Sequence, residues 1–172
     1  MKYLIVVDMQ NDFTTGSLGS AHAAAIISNV VEKVKAFPGK VIFTRDTHGD
    51  NYLQTQEGKK LPVVHCVKDS AGWQICNELM PYVDQVVDKI TFGSIALPHI
   101  LSKQGEPIEE IELCGLCTDI CVISNAMILK AAFPEVKIKV DASCCAGVTM
   151  ESHHTALNAM RAVQIEVKDE RE

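Results

Sequence analysis

The sequence contains no cluster of Lys and Arg residues, with or without interleaved aromatic residues. Its formal net charge is −6 at pH 7, so the phosphate backbone of a nucleic acid would be repelled on average. No apolar run approaches the roughly 20 residues that span a bilayer, and the N-terminal MKYLIVVDMQ lacks the cleavage region of a signal peptide. We therefore expect a cytoplasmic protein that binds neither nucleic acid nor membranes.

The seven cysteines are an odd number, and no secretory signal accompanies them. Disulfide frameworks belong to oxidising compartments, so reduced thiols are expected here. Most of them should be small buried hydrophobic groups. Cys114 and Cys117 form a CxxC pattern, which also occurs in redox and metal-binding pairs. Cys144 and Cys145 are expected in a loop, SCC at 143–145, with no assigned role.

Apolar runs alternate with amphipathic stretches along the chain, which predicts one domain, residues 1–172, with a mainly parallel sheet between two helical layers and a Rossmann-like topology. Strands are expected at 3–8, 40–46, 85–90, 108–115 and 136–142, and helices at 21–37, 71–83, 97–105, 118–133 and 150–163. Residues 47–62 are expected to be irregular, and residues 164–172 to form a charged tail after a short edge strand.

In sheets of this kind, chemistry gathers at the carboxyl ends of the strands. Asp8 and Lys89 stand at two of these ends, and Cys121 falls in the first turn of the helix that follows a third. The free N–H groups and dipole of that turn are expected to stabilise a thiolate and to hold an oxyanion. A nucleophilic Cys121 would also need a proton acceptor and a nearby cation, roles that suit Asp8 and Lys89.

Each of these three residues also has a structural interpretation. A single cysteine in a helix is more often a packing residue than a nucleophile. Asp8 could cap the turn that follows it, because NDF is typical of turns. Lys89 could be a solvated charge at a strand end.

A second group of residues predicts a metal site. Asp46 and His48 are two apart, so in an extended chain they face the same side, and Glu57 and His65 follow in the next loop. Two imidazoles and two carboxylates suit Zn²⁺, and also Mn²⁺ or Fe²⁺. Alternatively, His48 caps a turn and His65 is a core histidine, and Asp50 rivals Glu57 as the carboxylate ligand.

Three separated segments resemble the isochorismatase-like cysteine hydrolases, most closely the nicotinamidases. They are VVDMQNDF at 6–13, the Lys after the third strand, and CGLCTDICV at 114–122. The resemblance implies a catalytic triad of Asp8, Lys89 and Cys121.

The same resemblance implies further features of the site. The peptide bond before Cys117, between Leu116 and Cys117, would be cis and would turn the Cys117 N–H toward the oxyanion. Phe13 would line the substrate pocket, and the metal would hold the pyridine nitrogen of the substrate. Many nicotinamidases have a third His where this chain has Glu57, which is a departure from their pattern.

The implied activity is hydrolysis of nicotinamide to nicotinate and ammonia through a thioester on Cys121, in a homo-oligomer, a dimer or larger. The alternatives are another small-amide or ureido hydrolase of the same family and, more remotely, a thiol redox or metal-binding protein. His22, His99, His153 and His154 are interpreted as structural or surface groups, and Trp73 as a packing anchor.

Overall fold

The computed structural model describes residues 1–169 and contains six strands and seven α-helices in that range. The strands are β1 Lys2–Val7, β2 Lys40–Asp46, β3 Gln85–Lys89, β4 Glu110–Leu116, β5 Lys137–Ala146 and β6 Glu166–Lys168. The helices are α1 Asn11–Thr14, α2 Ala21–Ala25, α3 Ile27–Ala36, α4 Gln56–Lys60, α5 Ala96–Ser102, α6 Ile123–Ala132 and α7 Met150–Ala162. Short 3₁₀ helices span Tyr52–Gln54 and Met80–Tyr82, and a π-helical turn spans Thr118–Val122.

All strand pairs are parallel, in the order β3-β2-β1-β4-β5-β6. The chain runs from β1 outward to β2 and β3, then returns to β4 and continues outward through β5 to β6. Because crossovers between parallel strands are right-handed, α3 covers one face and α5, α6 and α7 cover the other. Accordingly, α6 packs on α5 and α7. The predicted α/β class with a parallel sheet is confirmed, and β1 and β4 flank the switch point where such sheets bind ligands.

The apolar run of β1 is wholly buried because both faces of this central strand are covered. Gly115 lets β4 pass close beside β1. Its φ is +115°, and a Cβ at this position would lie 2.1 Å from the Val7 carbonyl oxygen. Any other residue would clash and strain the backbone there, so this glycine helps to align the ends of β1 and β4.

Buried ion pairs attach α3 to the sheet. Lys33 of α3 contacts Glu112 of β4, with its Nζ 2.5 Å from Oε1, and it also contacts Asp141 of β5. These carboxylates raise the pKa of Lys33 although burial opposes the rise. The amine therefore stays charged between the two strands, which holds α3 over β4 and β5.

The predicted helix at 71–83 is wrong. The backbone of its first half pairs with the segment after β1: Asn11 N–H donates to the Gln74 carbonyl at 2.9 Å, and Cys76 N–H donates to the Met9 carbonyl at 2.9 Å. Only the 3₁₀ helix at Met80–Tyr82 remains of the expected helix. Trp73 is buried there, with the Arg45 guanidinium carbon 3.5 Å from its ring centroid, as expected of a packing anchor.

Other predicted boundaries also differ from the structure. The helix expected at 21–37 is interrupted at Ile26, and the stretch 47–62 contains the short helix α4. The last long strand extends to Ala146, so the segment SCC at 143–145, with Cys144 and Cys145, lies in β5 and not in a loop. The predicted edge strand exists as β6, whereas residues 170–172 of the predicted tail and domain lie outside the described residues.

No helix within residues 1–169 has both the length and the apolar character needed to cross a membrane.

Candidate active site

Four polar side chains meet at the carboxyl edge of the sheet. Asp8 directly follows β1, Asp46 ends β2 and Lys89 ends β3. Cys121 lies in the π-helical turn that follows β4. Because these four strands are parallel neighbours, their ends bring together residues that are far apart in the sequence.

The Lys89 amine lies between an acid and a thiol. Its Nζ is 2.6 Å from Asp8 Oδ2 and 3.5 Å from Cys121 Sγ. The exposed fractions of Asp8, Lys89 and Cys121 are 0%, 4% and 5%. The Thr44 hydroxyl donates to Asp8 Oδ1 at 2.6 Å, and Lys89 Nζ donates to the Thr91 carbonyl at 3.0 Å. The edge thus holds an ion pair in contact with a thiol, almost screened from water.

The surroundings of the three groups favour a protonated cysteine beside a basic carboxylate. Burial raises the pKa of the Cys121 thiol, Asp8 raises it further, and Lys89 lowers it in part. Burial also raises the pKa of Asp8, against the influence of Lys89. Burial would lower the pKa of Lys89, but the negative groups around it, led by Asp8, raise it overall. The structure therefore favours a resting thiol, whereas the sequence led us to expect a stabilised thiolate.

The turn that carries the cysteine is attached to α6. The Leu116–Cys117 peptide bond before it is cis. The Asn125 side chain donates to the Cys121 carbonyl at 2.8 Å, and its Oδ1 accepts from Ser94 N–H at 2.9 Å. Asn125 could not be recognised from the sequence, because a polar residue within a helix carries no mark of its distant partners.

The four residues expected to bind a metal lie together. Their ligand atoms are all within 4.8 Å of one another; the residues are Asp46, His48, Glu57 and His65. The Nε2 atoms of His48 and His65 lie 2.8 and 3.5 Å from Asp46 Oδ2, and Glu57 Oε1 lies 3.6 Å from His48 Nε2. His65 Nδ1 is 2.7 Å from the Val63 carbonyl oxygen, a bond that orients Nε2 toward the cluster.

Two imidazoles and two carboxylates are a donor set that fits Zn²⁺, with Mn²⁺ and Fe²⁺ as further candidates. Asp50 is exposed and, within the described residues, lies outside the cluster, so Glu57 is the carboxylate that the geometry favours. Asp46 also contacts the first group, with Oδ1 3.4 Å from Lys89 Nζ. Burial would raise the pKa of Asp46, but the imidazoles and Lys89 lower it overall.

The segment after β1 braces the predicted metal ligands, a role that was not expected from the sequence. The buried Gln10 amide donates to the Asp46 carbonyl at 2.8 Å, and its Oε1 accepts from Asp46 N–H at 2.7 Å. Asp12 Oδ2 accepts from Cys66 N–H at 2.8 Å, beside His65. The available clue was a polar amide, Gln10, three residues after the apolar run of β1.

A cavity of about 440 Å³ adjoins both groups of residues, a size typical of small-molecule sites. Its wall includes the cysteine, one metal-cluster imidazole and several apolar side chains, among them Phe13, Phe92, Ile120, Cys121, Leu61 and His65. The Phe13 ring lies 5.4 Å from that of His65. Along the described part of the wall, the residues with charged side chains are the acids Asp46 and Glu57.

The other histidines divide into two kinds. His22 and His99 are exposed, as expected of surface groups. His153, by contrast, is buried, and its Nδ1 lies 2.7 Å from the hydroxyl oxygen of Thr118, in the turn that carries Cys121. The Thr118 hydroxyl thus contacts α7 and does not cap the turn that it opens, although Thr-Asp at a helix start is typical of a cap.

The model of the Isochorismatase domain family matches residues 2–171 of the chain. The chain belongs to the isochorismatase family. A relative is the nicotinamidase/pyrazinamidase of Mycobacterium tuberculosis, which is 26% identical over 97% of this chain and 98% of its own. This relationship and the family match confirm the predicted enzyme class, a hydrolase of amide carbon–nitrogen bonds.

Solved structures of isochorismatase-family proteins have the same fold. The pyrazinamidase of Pyrococcus horikoshii in complex with zinc superposes with a TM-score of 0.83 at 24% identity, covering 98% of this chain and 99% of that one. The nicotinamidase/pyrazinamidase of Bacillus subtilis gives a TM-score of 0.83 at 25% identity, with 98% and 99% coverage. The predicted isochorismatase-like fold is confirmed.

Proposed function

We propose that this isochorismatase-family hydrolase converts nicotinamide to nicotinate and ammonia through a thioester on Cys121. The observation that carries the proposal is the position of the Lys89 amine, 2.6 Å from Asp8 and 3.5 Å from Cys121. The thiol also faces the cavity that the metal-ligand cluster adjoins. The relative from Mycobacterium tuberculosis bears the name of this activity.

The first half of the reaction forms the thioester. Asp8 accepts the proton of Cys121, and the thiolate attacks the carboxamide carbon, so that a C–S bond forms and the carbonyl oxygen becomes an oxyanion. The N–H groups of Cys117 and Cys121 hold that oxyanion, and Lys89 stabilises the charges of Asp8 and the thiolate. The C–N bond then breaks as Asp8 returns the proton to nitrogen, and ammonia leaves.

The second half releases the acid. Asp8 takes a proton from water, the hydroxide attacks the thioester, and the C–S bond breaks. The proton on Asp8 returns to the Cys121 sulfur, which regenerates the thiol. Each positioned proton transfer contributes about 10²–10⁴-fold, and each oxyanion donor about 10²–10³-fold. The raised pKa of Asp8 suits a buried group that must accept a proton and then give it back.

A divalent metal, Zn²⁺ first among the candidates, would be held by Asp46, His48, Glu57 and His65. When bound, it supplies a Lewis acid for the ring nitrogen of a heteroaromatic substrate. The aromatic and aliphatic residues of the cavity wall suit a flat ring. Within this wall, Phe13 is the aromatic side chain that packs against the metal-cluster imidazole of His65.

The charge of the cavity favours an uncharged amide. In the part of the chain that the structure describes, the charged residues of its wall are Asp46 and Glu57, both acidic. The described wall has no Lys or Arg side chain to receive the carboxylate of a substrate such as an N-carbamoyl amino acid. The redox alternative has less support, because Cys114 is completely buried in β4 and burial raises the pKa of its thiol.

The test is ammonia release by the purified protein from nicotinamide, pyrazinamide and an N-carbamoyl amino acid, with and without a metal chelator. We expect turnover of the two heteroaromatic amides, loss of turnover with chelator, and recovery when Zn²⁺ is restored. Turnover of the carbamoyl compound alone would instead favour the ureido hydrolase. Assembly into a dimer or larger oligomer remains a prediction, which sedimentation of the purified protein would test. A cytoplasmic location also remains a prediction.

A further inference from the structure

The turn that carries Cys121 has a buried contact with α7. Thr118 is wholly buried, and its Oγ1 lies 2.7 Å from Nδ1 of the buried His153. Buried polar groups are costly to leave without a partner, so this hydrogen bond holds the first residue of the turn to α7. Thr118 directly follows Cys117 and lies three residues before Cys121, between the two proposed oxyanion donors.

A second contact attaches the next residue of the turn. Asp119 Oδ1 accepts from the Val148 N–H at 3.1 Å, so the loop between β5 and α7 contacts the turn as well. A Cβ on Gly147 would lie 2.8 Å from that of His153, which shows how closely this loop packs on α7 at His153. Gly147 and Val148 also line the substrate cavity, so this loop lies between α7, the turn and the cavity.

We propose that His153 is a positioning residue, which acts through Thr118 to hold the N–H groups of Cys117 and Cys121 where the oxyanion forms. His153 does not line the substrate cavity, so its effect on the reaction passes through the turn. A displacement of about 1 Å at a reacting group can cost about 10²-fold in rate. The inference rests on the proposed function, because it assigns a role in the same amide hydrolysis.

Paired variants separate the hydrogen bond from the bulk of the side chains. His153→Leu removes the partner of the hydroxyl, whereas His153→Asn keeps a hydrogen-bonding atom near the position of Nδ1. Thr118→Val removes the hydroxyl at nearly constant volume, and Thr118→Ser keeps it. His99→Leu, at an exposed position of α5, is the matched control.

Steady-state kinetics with nicotinamide should then show an effect on turnover and not on binding. We expect His153→Leu and Thr118→Val each to lower kcat by about 10-fold, less than the 10²–10³-fold lost when an oxyanion donor is removed outright, with KM close to that of the wild type. His153→Asn, Thr118→Ser and His99→Leu should retain most of the wild-type kcat. A purely structural role would instead lower the thermal unfolding midpoint and leave kcat per folded molecule unchanged.

The double variant His153→Leu/Thr118→Val tests whether the two side chains act together. If they act through one hydrogen bond, the double variant should lose about 10-fold in kcat, as each single variant does, and not the product of the two losses. Multiplied losses, an unchanged kcat in both single variants, or an Asn variant as impaired as the Leu variant would each overturn the proposal. If His153→Leu does not fold, the comparison of Thr118→Val with Thr118→Ser decides.

Failure of the proposed function would be visible elsewhere. A wild-type protein that hydrolyses another amide of the panel but not nicotinamide would contradict the proposed substrate, and the same variants would then be compared on the amide that it does hydrolyse. A wild-type protein without any amidase activity would overturn both proposals. If only the proposed role of His153 is wrong, the wild-type protein will hydrolyse nicotinamide but the variants will not show the expected changes in kcat.

Discussion

The acid, amine and thiol are positioned differently from the metal-ligand cluster beside them. Asp8 and Lys89 stand at the ends of hydrogen-bonded strands, and Cys121 lies one turn beyond a third. Of the four proposed metal ligands, only Asp46 belongs to a strand, where it is the register partner of Lys89. The other three, His48, Glu57 and His65, lie in the connection between β2 and β3.

The triad is therefore held in place by the sheet, whereas the metal-ligand cluster is held mainly by individual hydrogen bonds. His48 N–H donates to the Cys66 carbonyl at 2.9 Å, and the Gln10 and Asp12 side chains hold Asp46 and Cys66. Loss of one such bond should loosen the metal cluster without moving the thiol. The two parts should therefore respond separately to substitution.

The largest effect is expected from the nucleophile itself. Cys121→Ala should lower kcat for nicotinamide by more than about 10⁴-fold, because no other group can form the thioester, while metal binding stays at the wild-type level. Ammonia release and Zn²⁺ titration measure the two properties. Cys76→Ala, at another buried cysteine, is the control and should keep its activity. Retained turnover in Cys121→Ala would end the proposed mechanism.

A smaller effect on turnover, together with a large effect on metal binding, is expected for the cluster. His65→Ala should weaken Zn²⁺ binding by more than about 100-fold, since ligand loss exceeds the 10–100-fold typical of outer-shell changes. The rate at which iodoacetamide alkylates Cys121 should match that of the chelated wild-type protein. Zn²⁺ titration and mass spectrometry measure these outcomes. An altered alkylation rate would show that the triad and the metal-ligand cluster are coupled, and would contradict the expectation that they respond separately to substitution.

The sheet-edge residues could be predicted because their positions follow from local patterns. An apolar run that stops at Asp8, or at Asp46, marks a strand end, and parallel strands bring such ends together. The segment 71–83 could not be predicted in this way. Its spacing resembles that of a helix, but its backbone pairs with residues 9–12, and such tertiary pairing leaves no trace in local periodicity.

The supporting residues were missed for the same reason. Gln10 pairs with a backbone 36 residues away, and His153 with a hydroxyl 35 residues away, so neither partner can be recognised from spacing. The charge state of Cys121 also depended on more than its local turn. A position at a helix start favours a thiolate, but burial and the nearby Asp8 outweigh that influence and raise the thiol pKa.

A moderate effect, confined to metal binding, is expected when Gln10, which supports Asp46, is replaced. Gln10→Ala removes both hydrogen bonds to the Asp46 backbone and should weaken Zn²⁺ binding by about 10–100-fold, as outer-shell substitutions do. With Zn²⁺ in saturating excess, kcat should return close to the wild-type value. Gln54→Ala, at an exposed position, is the control. A kcat that stays low at saturating Zn²⁺ would mean that Gln10 also supports the triad.

The smallest expected effect is a shift of the acid limb of the pH profile, and it concerns the sheet-fixed part alone. Asp8 must be ionised to accept the thiol proton, and its pKa is raised above the ordinary 3.8 by burial. The value of kcat/KM reports the titration of groups in the free enzyme. As the pH is lowered, it should therefore begin to fall at a higher pH than that at which an ordinary carboxyl group titrates.

The hydroxyl of Thr44 donates to Asp8 and lowers that pKa. Thr44→Val should thus move the acid limb to higher pH, because the ionised carboxylate loses a hydrogen bond, whereas Thr155→Val at an exposed position of α7 should leave it in place. Profiles of kcat/KM against pH, recorded at saturating Zn²⁺, measure the shift. An acid limb that is unchanged or moves to lower pH in Thr44→Val would show that a group other than Asp8 accepts the proton. Asp8 would then only hold Lys89 in position.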